Sequence, residues 1–198
     1  MFPKRFVYRE DVPVVHSVGA KAKEKALYIT DIAGEDLPGF RTAVLNTITS
    51  KHPLHHRINA LLQYSPSFYW SSSNHKKRFE CFSRWYPVYP HNDNPIYRAV
   101  VYLLTSNVEL YKRTKGCFSL NGIDLRKANT CGISSQNYVL LAVASDMYDG
   151  TRKVEVADLA DRSAVKNETF SLVVNSLLIS LYGLEITKEC RRDMQYDY

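Results

Sequence analysis

The chain has 198 residues, 45% hydrophobic and 23% charged, so it is long enough for one globular domain or two small ones, and its composition excludes wholesale disorder. No apolar run reaches the roughly 18 residues of a membrane span. The net charge of +6 is unevenly spread: residues 65–130 carry ten Lys/Arg against four Asp/Glu and 12 of the 24 aromatics, whereas residues 131–198 carry seven against ten.

The first 35 residues are poorly patterned. Charges at Lys4, Arg5, Arg9 and Glu10 leave no apolar segment for a signal peptide, which points to a cytoplasmic protein. Residues 5–9 read as a short strand, and 20–29 as a basic helix or the approach to a strand. From residue 36 to 198 the pattern predicts a single helical domain. Asp36 and Pro38 open a helix with Phe40, Val44, Leu45 and Ile48 on one side, which ends at His52-Pro53. Pro53 then opens a helix carrying Leu54, Ile58, Leu61 and Leu62. After the capping cluster Ser71-Ser72-Ser73-Asn74, a helix over 75–85 places Phe79, Phe82 and Trp85 three residues apart.

Asn94-Pro95 is a cap followed by proline in the first turn, and the helix behind it buries Ile96, Val100, Leu103 and Leu104. A short helical segment through Val108, Leu110 and Tyr111 runs to Lys112, Arg113 and Lys115, with Gly116 as its stop. Residues 116–132 form an irregular connector with room for a small hairpin. Ser134 and Ser135 cap a helix with Tyr138, Leu141, Ala144 and Tyr148 inward, ended by Asp149-Gly150. Val154-Glu155-Val156 reads as a brief strand. Asn167 caps a last helix through Phe170, Val173, Val174, Leu177, Leu178 and Leu181, which stops at Gly183. The expected fold is mainly α, a compact domain of about six helices with at most a small β-element.

His75-Arg78-Phe79, the run 100–111 and the run 141–150 lie within 74–112 and 138–183. Together they resemble a bacterial family of domains of unknown function sometimes found on mobile elements. That family pairs a His-x-x-Arg-Phe helix start with a charged turn, a following apolar helix and a later segment before a terminal helix. The resemblance implies a compact helical fold and a mobile-element or phage setting. It carries no catalytic residue across.

The candidate site is Ser72-Ser73-Asn74-His75-Lys76-Lys77-Arg78. Acidic side chains stabilise a helix start, so three cations at this one are a departure that suits a phosphate or another anion. Arg84 lies further along, and Phe68, Tyr69, Trp70 and Trp85 flank the segment as surfaces on which bases stack. The competing reading is a solvated basic surface with the aromatics in the core. Lys112, Arg113, Lys115, Arg126 and Lys127 extend the basic region.

His52, His55 and His56 form an HxxHH cluster without the Glu of an HExxH metalloprotease. Asp146, Asp149, Glu155, Asp158 and Asp161 form an acidic group whose spacing suits turns and helix ends. The motifs GxSxG, GxxxxGK[ST] and GxGxxG are absent. Cys81, Cys117, Cys131 and Cys190 make no CxxC pair and read as buried free thiols in a reducing compartment, with Cys117 beside Lys115 as a weak nucleophile candidate.

The leading expectation is a non-enzymatic, cofactor-free helical protein whose basic face, centred on 70–86, contacts nucleic acid or a nucleoprotein complex. With the mobile-element resemblance, this implies an inhibitor of a host defence nuclease, an anti-CRISPR-like role. The alternatives are a protein–protein module using its acidic or Tyr-rich surface, and a metal-dependent hydrolase. A membrane partner is not expected.

Overall fold

The computed structural model describes residues 4–8, 27–31, 54–64, 70–85, 94–119 and 121–184. In chain order these form β1 (Lys4–Tyr8), β2 (Leu27–Asp31), α1 (His55–Tyr64), α2 (Ser73–Trp85), α3 (Pro95–Leu104) and α4 (Val108–Thr114). A 3-10 turn (Lys115–Cys117), β3 (Phe118–Ser119), β4 (Gly122–Ile123) and a second 3-10 turn (Leu125–Lys127) follow, then α5 (Ser135–Asp149), α6 (Val156–Ala160) and α7 (Asn167–Tyr182). The architecture is mainly helical, and among the described residues the β-structure is two antiparallel two-stranded ladders, β1–β2 and β3–β4.

Local chemistry starts most of these helices. Asn94 accepts the Ile96 N–H at 2.9 Å with Pro95 in the first turn of α3. Asn107 accepts the Leu110 N–H at 2.8 Å to open α4, and Ser134 accepts the Asn137 N–H at 3.3 Å to open α5. Gly150, in the left-handed region at φ 67, closes α5.

The core is built around α3 and α7, which pack on each other and on α5. Every residue from Ala99 to Leu104 is buried, as are Phe170, Val173, Val174, Leu178, Ile179 and Leu181 of α7. An apolar stripe of one face thus understates α3, which is covered on nearly all sides. Polar groups tie these helices together: Asn175 donates to the Tyr102 hydroxyl at 3.2 Å inside the core, and at its margin Asn107, Asn137 and Glu109 form a chain of bonds at 2.6 and 2.8 Å that ties α4 to α5.

Several local expectations are corrected. Val154-Glu155-Val156 is not a strand, because Glu155 and Asp158 form a reciprocal capping box that opens α6. The N-cap of α7 is Lys166, and Asn167 is its first helical residue. Cys81 and Cys131 are exposed rather than buried; Cys117 is buried. Tyr138, expected on the inward stripe of α5, is 51% exposed. The helix expected over 36–51, the side chain of Trp85 and Cys190 lie outside the described residues. No helix among the described residues is long and apolar enough to cross a membrane.

Candidate nucleic-acid interface

The start of α2 is closed by the protein itself. Ser72 accepts the His75 N–H on its hydroxyl at 3.1 Å and the Lys76 N–H on its carbonyl at 3.3 Å. Trp70 packs edge-on against His75, with centroids 4.9 Å apart, and tilted on Phe79 and Tyr102 at 5.2 and 5.5 Å. His75 is fully buried. Its Nε2–H donates to the Tyr102 carbonyl at 2.9 Å, and its Nδ1 accepts the Ser71 N–H at 3.3 Å. An Nδ1 that accepts carries no proton, so the ring is neutral. Burial pulls its pKa down to about 4, in keeping with that tautomer.

Arg78 turns inward as well. Its Nε donates to the Thr105 carbonyl at 2.8 Å and its Nη2 to the Ser106 carbonyl at 2.9 Å. These oxygens follow the last turn of α3, where helical carbonyls lack partners of their own. The expected anion-binding set is therefore divided. Trp70 and Arg78 are spent on the fold, Lys76 lies 3.7 Å from Glu80, and Ser73, Asn74 and Lys77 are exposed. Arg84 continues the backbone of α2, and its side chain lies outside the described residues.

Arg113 repeats the pattern. Its Nε meets Glu109 at 3.0 Å, and its other nitrogens donate to the carbonyls of Asn129, Cys131 and Gly132 at 3.2, 2.5 and 3.1 Å. Lys112 and Lys115 on either side are exposed. The chain just after them reaches α2, where Phe82 packs on Phe118 at 4.4 Å. Arg57 of α1 is the third carbonyl clamp. It is buried over the Phe170 ring at 4.3 Å and donates to the carbonyls of Leu159 (2.6 Å), Asp161 (3.3 Å) and Val165.

A cleft opens between the 118–130 connector and α5. Gly122 has φ +117, and a Cβ there would lie 2.3 Å from the Tyr148 hydroxyl, which accepts the Ile123 N–H at 3.1 Å. Glycine thus lets β4 lie directly against α5. Asp124 caps the second 3-10 turn and holds the Arg126 guanidinium at 2.8 Å, which keeps the Asp124 carboxyl below its ordinary pKa. Asp146 accepts the Thr151 hydroxyl at 2.6 Å and the Lys153 and Val154 N–H groups at 2.9 and 3.0 Å, fixing the path after α5. The larger part of the cleft, about 550 Å³, is lined by Ser119, Asn121, Asp124, Arg126, Lys127, Asp149, Thr151 and Lys153. The smaller part, about 270 Å³, adds Ala128, Thr130, Tyr138, Leu141 and Ala142; Leu125, Arg126, Ser145 and Lys153 line both.

Of this cleft, sequence reasoning singled out Arg126 and Lys127 and missed Lys153 and Tyr138. One legible signal is the spacing Tyr138, Ala142, Ser145, Asp149, which puts one stripe of α5 under small and polar side chains. Among the described residues, no carboxylate stands at ion-pair distance from the ammonium groups of Lys77, Lys112, Lys115 or Lys153.

The other chemistries fare differently. His55 and His56 sit with ring centroids 6.1 Å apart, and His52 lies outside the described residues. Among the described residues, no three His, Cys, Asp or Glu groups come together as a metal site. Burial pushes the Cys117 thiol up to about 11, so the neighbouring Lys115 does not activate it. No family model matches the chain, and neither a curated protein nor a solved structure is found to be similar to it.

Proposed function

We propose that this protein is a basic helical binding module that engages the phosphate backbone of nucleic acid through lysines displayed on α2, α4 and the cleft beside α5. The observation that supports the reading is a contrast between three arginines and four lysines. Arg57, Arg78 and Arg113 are held on backbone carbonyls, whereas Lys77, Lys112, Lys115 and Lys153 stand without a carboxylate partner among the described residues. Ammonium groups left exposed and uncompensated exchange their counterions for phosphates readily, and the release of salt drives association. The narrower role of an inhibitor of a host defence nuclease rests on the resemblance to mobile-element domains alone; the exposed lysines support only the nucleic-acid contact.

The test is fluorescence anisotropy with labelled single- and double-stranded DNA and RNA at about 50 and 200 mM salt. Three to five phosphate contacts predict an affinity loss of about 20- to 500-fold between the two conditions. The double variant Lys112→Glu/Lys115→Glu should weaken binding to every sequence alike, because phosphate contacts carry no base information. Absence of binding by the native protein at the lower salt overturns the reading. A protein-interface module would show a shallower salt dependence.

A further inference from the structure

We infer that the cleft along α5 holds a short single-stranded segment, with one base stacked on Tyr138 and phosphates beside Arg126 and Lys153. The inference rests on the nucleic-acid reading above and names the site and strand form that it would use. Tyr138, Ala142, Ser145 and Asp149 are spaced by four, three and four residues and all line the cleft, so it follows one face of α5. The eleven helical rises from Tyr138 to Asp149 make it about 16 Å long. That is room for a few nucleotides at about 3.4 Å per stacked base.

The chemistry changes along this length. At one end Tyr138, 51% exposed, stands beside Leu141 and Ala142, an aromatic face above an apolar floor. Every base offers a π-face to such a ring, which makes stacking tolerant of sequence. In the middle, Arg126 and Lys153 line both parts of the cleft. The Arg126 side chain is 89% exposed although Asp124 orients it, so donors remain for a phosphate. At the far end Asp149 disfavours phosphate, and Asp124, bonded to Arg126, offsets part of the central charge, so the anionic backbone lies nearest Lys153 and the outer nitrogens of Arg126.

The walls are set before any ligand arrives. Tyr148 holds β4, Asp146 holds the backbone at Lys153, and Arg113 holds the carbonyls of 129, 131 and 132. Little ordering entropy remains to be lost on binding. In a duplex the faces of the bases are covered by their neighbours, so Tyr138 selects unpaired strands.

The experiment measures anisotropy of labelled single-stranded and duplex oligonucleotides, as DNA and as RNA, with the native protein, Tyr138→Ala, Tyr138→Phe and Arg126→Ala/Lys153→Ala. Thermal unfolding of each variant confirms its fold. Tyr138→Ala should weaken single-strand binding roughly 5- to 150-fold, and Tyr138→Phe should retain it. The double variant should lower the salt slope for single strands by about 1.4, one 0.7 increment for each lost phosphate contact. Single-strand affinity within twofold of native for Tyr138→Ala overturns the cleft inference and leaves the nucleic-acid reading standing. An equal loss in Tyr138→Phe overturns the stacking role. A native protein that binds neither strand form overturns both.

Discussion

The start of α2 and the cleft beside α5 are made from the same ingredients and put them to opposite use. Each offers cations, hydroxyls and an aromatic ring within one short stretch of space. At α2, Trp70 lies on Phe79 and Tyr102, His75 is neutral and enclosed, and Arg78 serves the carbonyls of Thr105 and Ser106. Along the cleft, Tyr138 faces solvent and Lys153 is fixed only through its backbone. The difference comes from what lies opposite. The end of α3 presents carbonyls that have no helical partner, and a guanidinium with several donors is the side chain best suited to satisfy them. The cleft is bounded by turns whose backbone N–H groups Asp124 and Asp146 satisfy; Asp124 also pairs with Arg126 and Lys127, whereas Lys153 has no carboxylate at ion-pair distance among the described residues.

The comparison breaks first at the clamps. Arg57 is the most enclosed of the three, bonded to three carbonyls between Leu159 and Val165 and covering Phe170. Arg57→Ala removes several charge-assisted bonds at once and leaves buried carbonyls without donors. It should cost at least about 3 kcal/mol, read as a lower urea midpoint. A variant that unfolds at the native midpoint would mean that the 159–165 segment does not depend on this side chain.

His75 gives the next largest effect, and pH exposes it. Its folded pKa of about 4 lies below the ordinary value of 6.5. Above about pH 6.5 both folded and unfolded chains hold it neutral, and its contribution to stability is complete. Between 6.5 and 4 the unfolded chain takes up a proton that the fold refuses, so stability falls as pH falls. Below about 4 both states are protonated and the loss from this group ends. The full effect is about 3 kcal/mol. Urea midpoints of the native protein and His75→Gln at pH 7, 5.5 and 4.5 isolate it; identical pH slopes would show that the imidazole is not held neutral.

What the sequence discloses of this comparison depends on how far apart the partners are. Asn94, Ser134 and Gly150 act within four residues of themselves, and their roles are legible as written; Asn107 acts as locally, yet reads only as an interruption between two helices. The small β3–β4 hairpin is likewise visible as irregular, glycine-bearing chain. Arg78 reaches across 27 residues and Arg57 across 102 to 108, and no local pattern marks an arginine destined for a carbonyl. Lys76, Lys77 and Arg78 look alike in the sequence because helical phase alone does not say which side carries the neighbouring helix end. The cleft was half visible: Arg126 and Lys127 stand in a basic run, whereas Lys153 joins them only through the turn that Asp146 organises.

The sharpest contrast is between two adjacent residues of α2. Arg78→Ala leaves two carbonyls after α3 without their charged donor and should lower stability by about 2–3 kcal/mol. Lys77 is exposed and has no carboxylate at ion-pair distance among the described residues, so Lys77→Glu should stay within about 0.5 kcal/mol of the native protein. If the lysines meet phosphate, the same charge reversal lowers nucleic-acid affinity and flattens its salt dependence by about one contact. Measured side by side, urea midpoints and anisotropy should therefore cross over: the first variant loses stability, the second loses binding. Equal stability losses in both would mean that α2 tolerates no change at this end, and the separation of structural arginines from displayed lysines would fail at the place where it is drawn most finely.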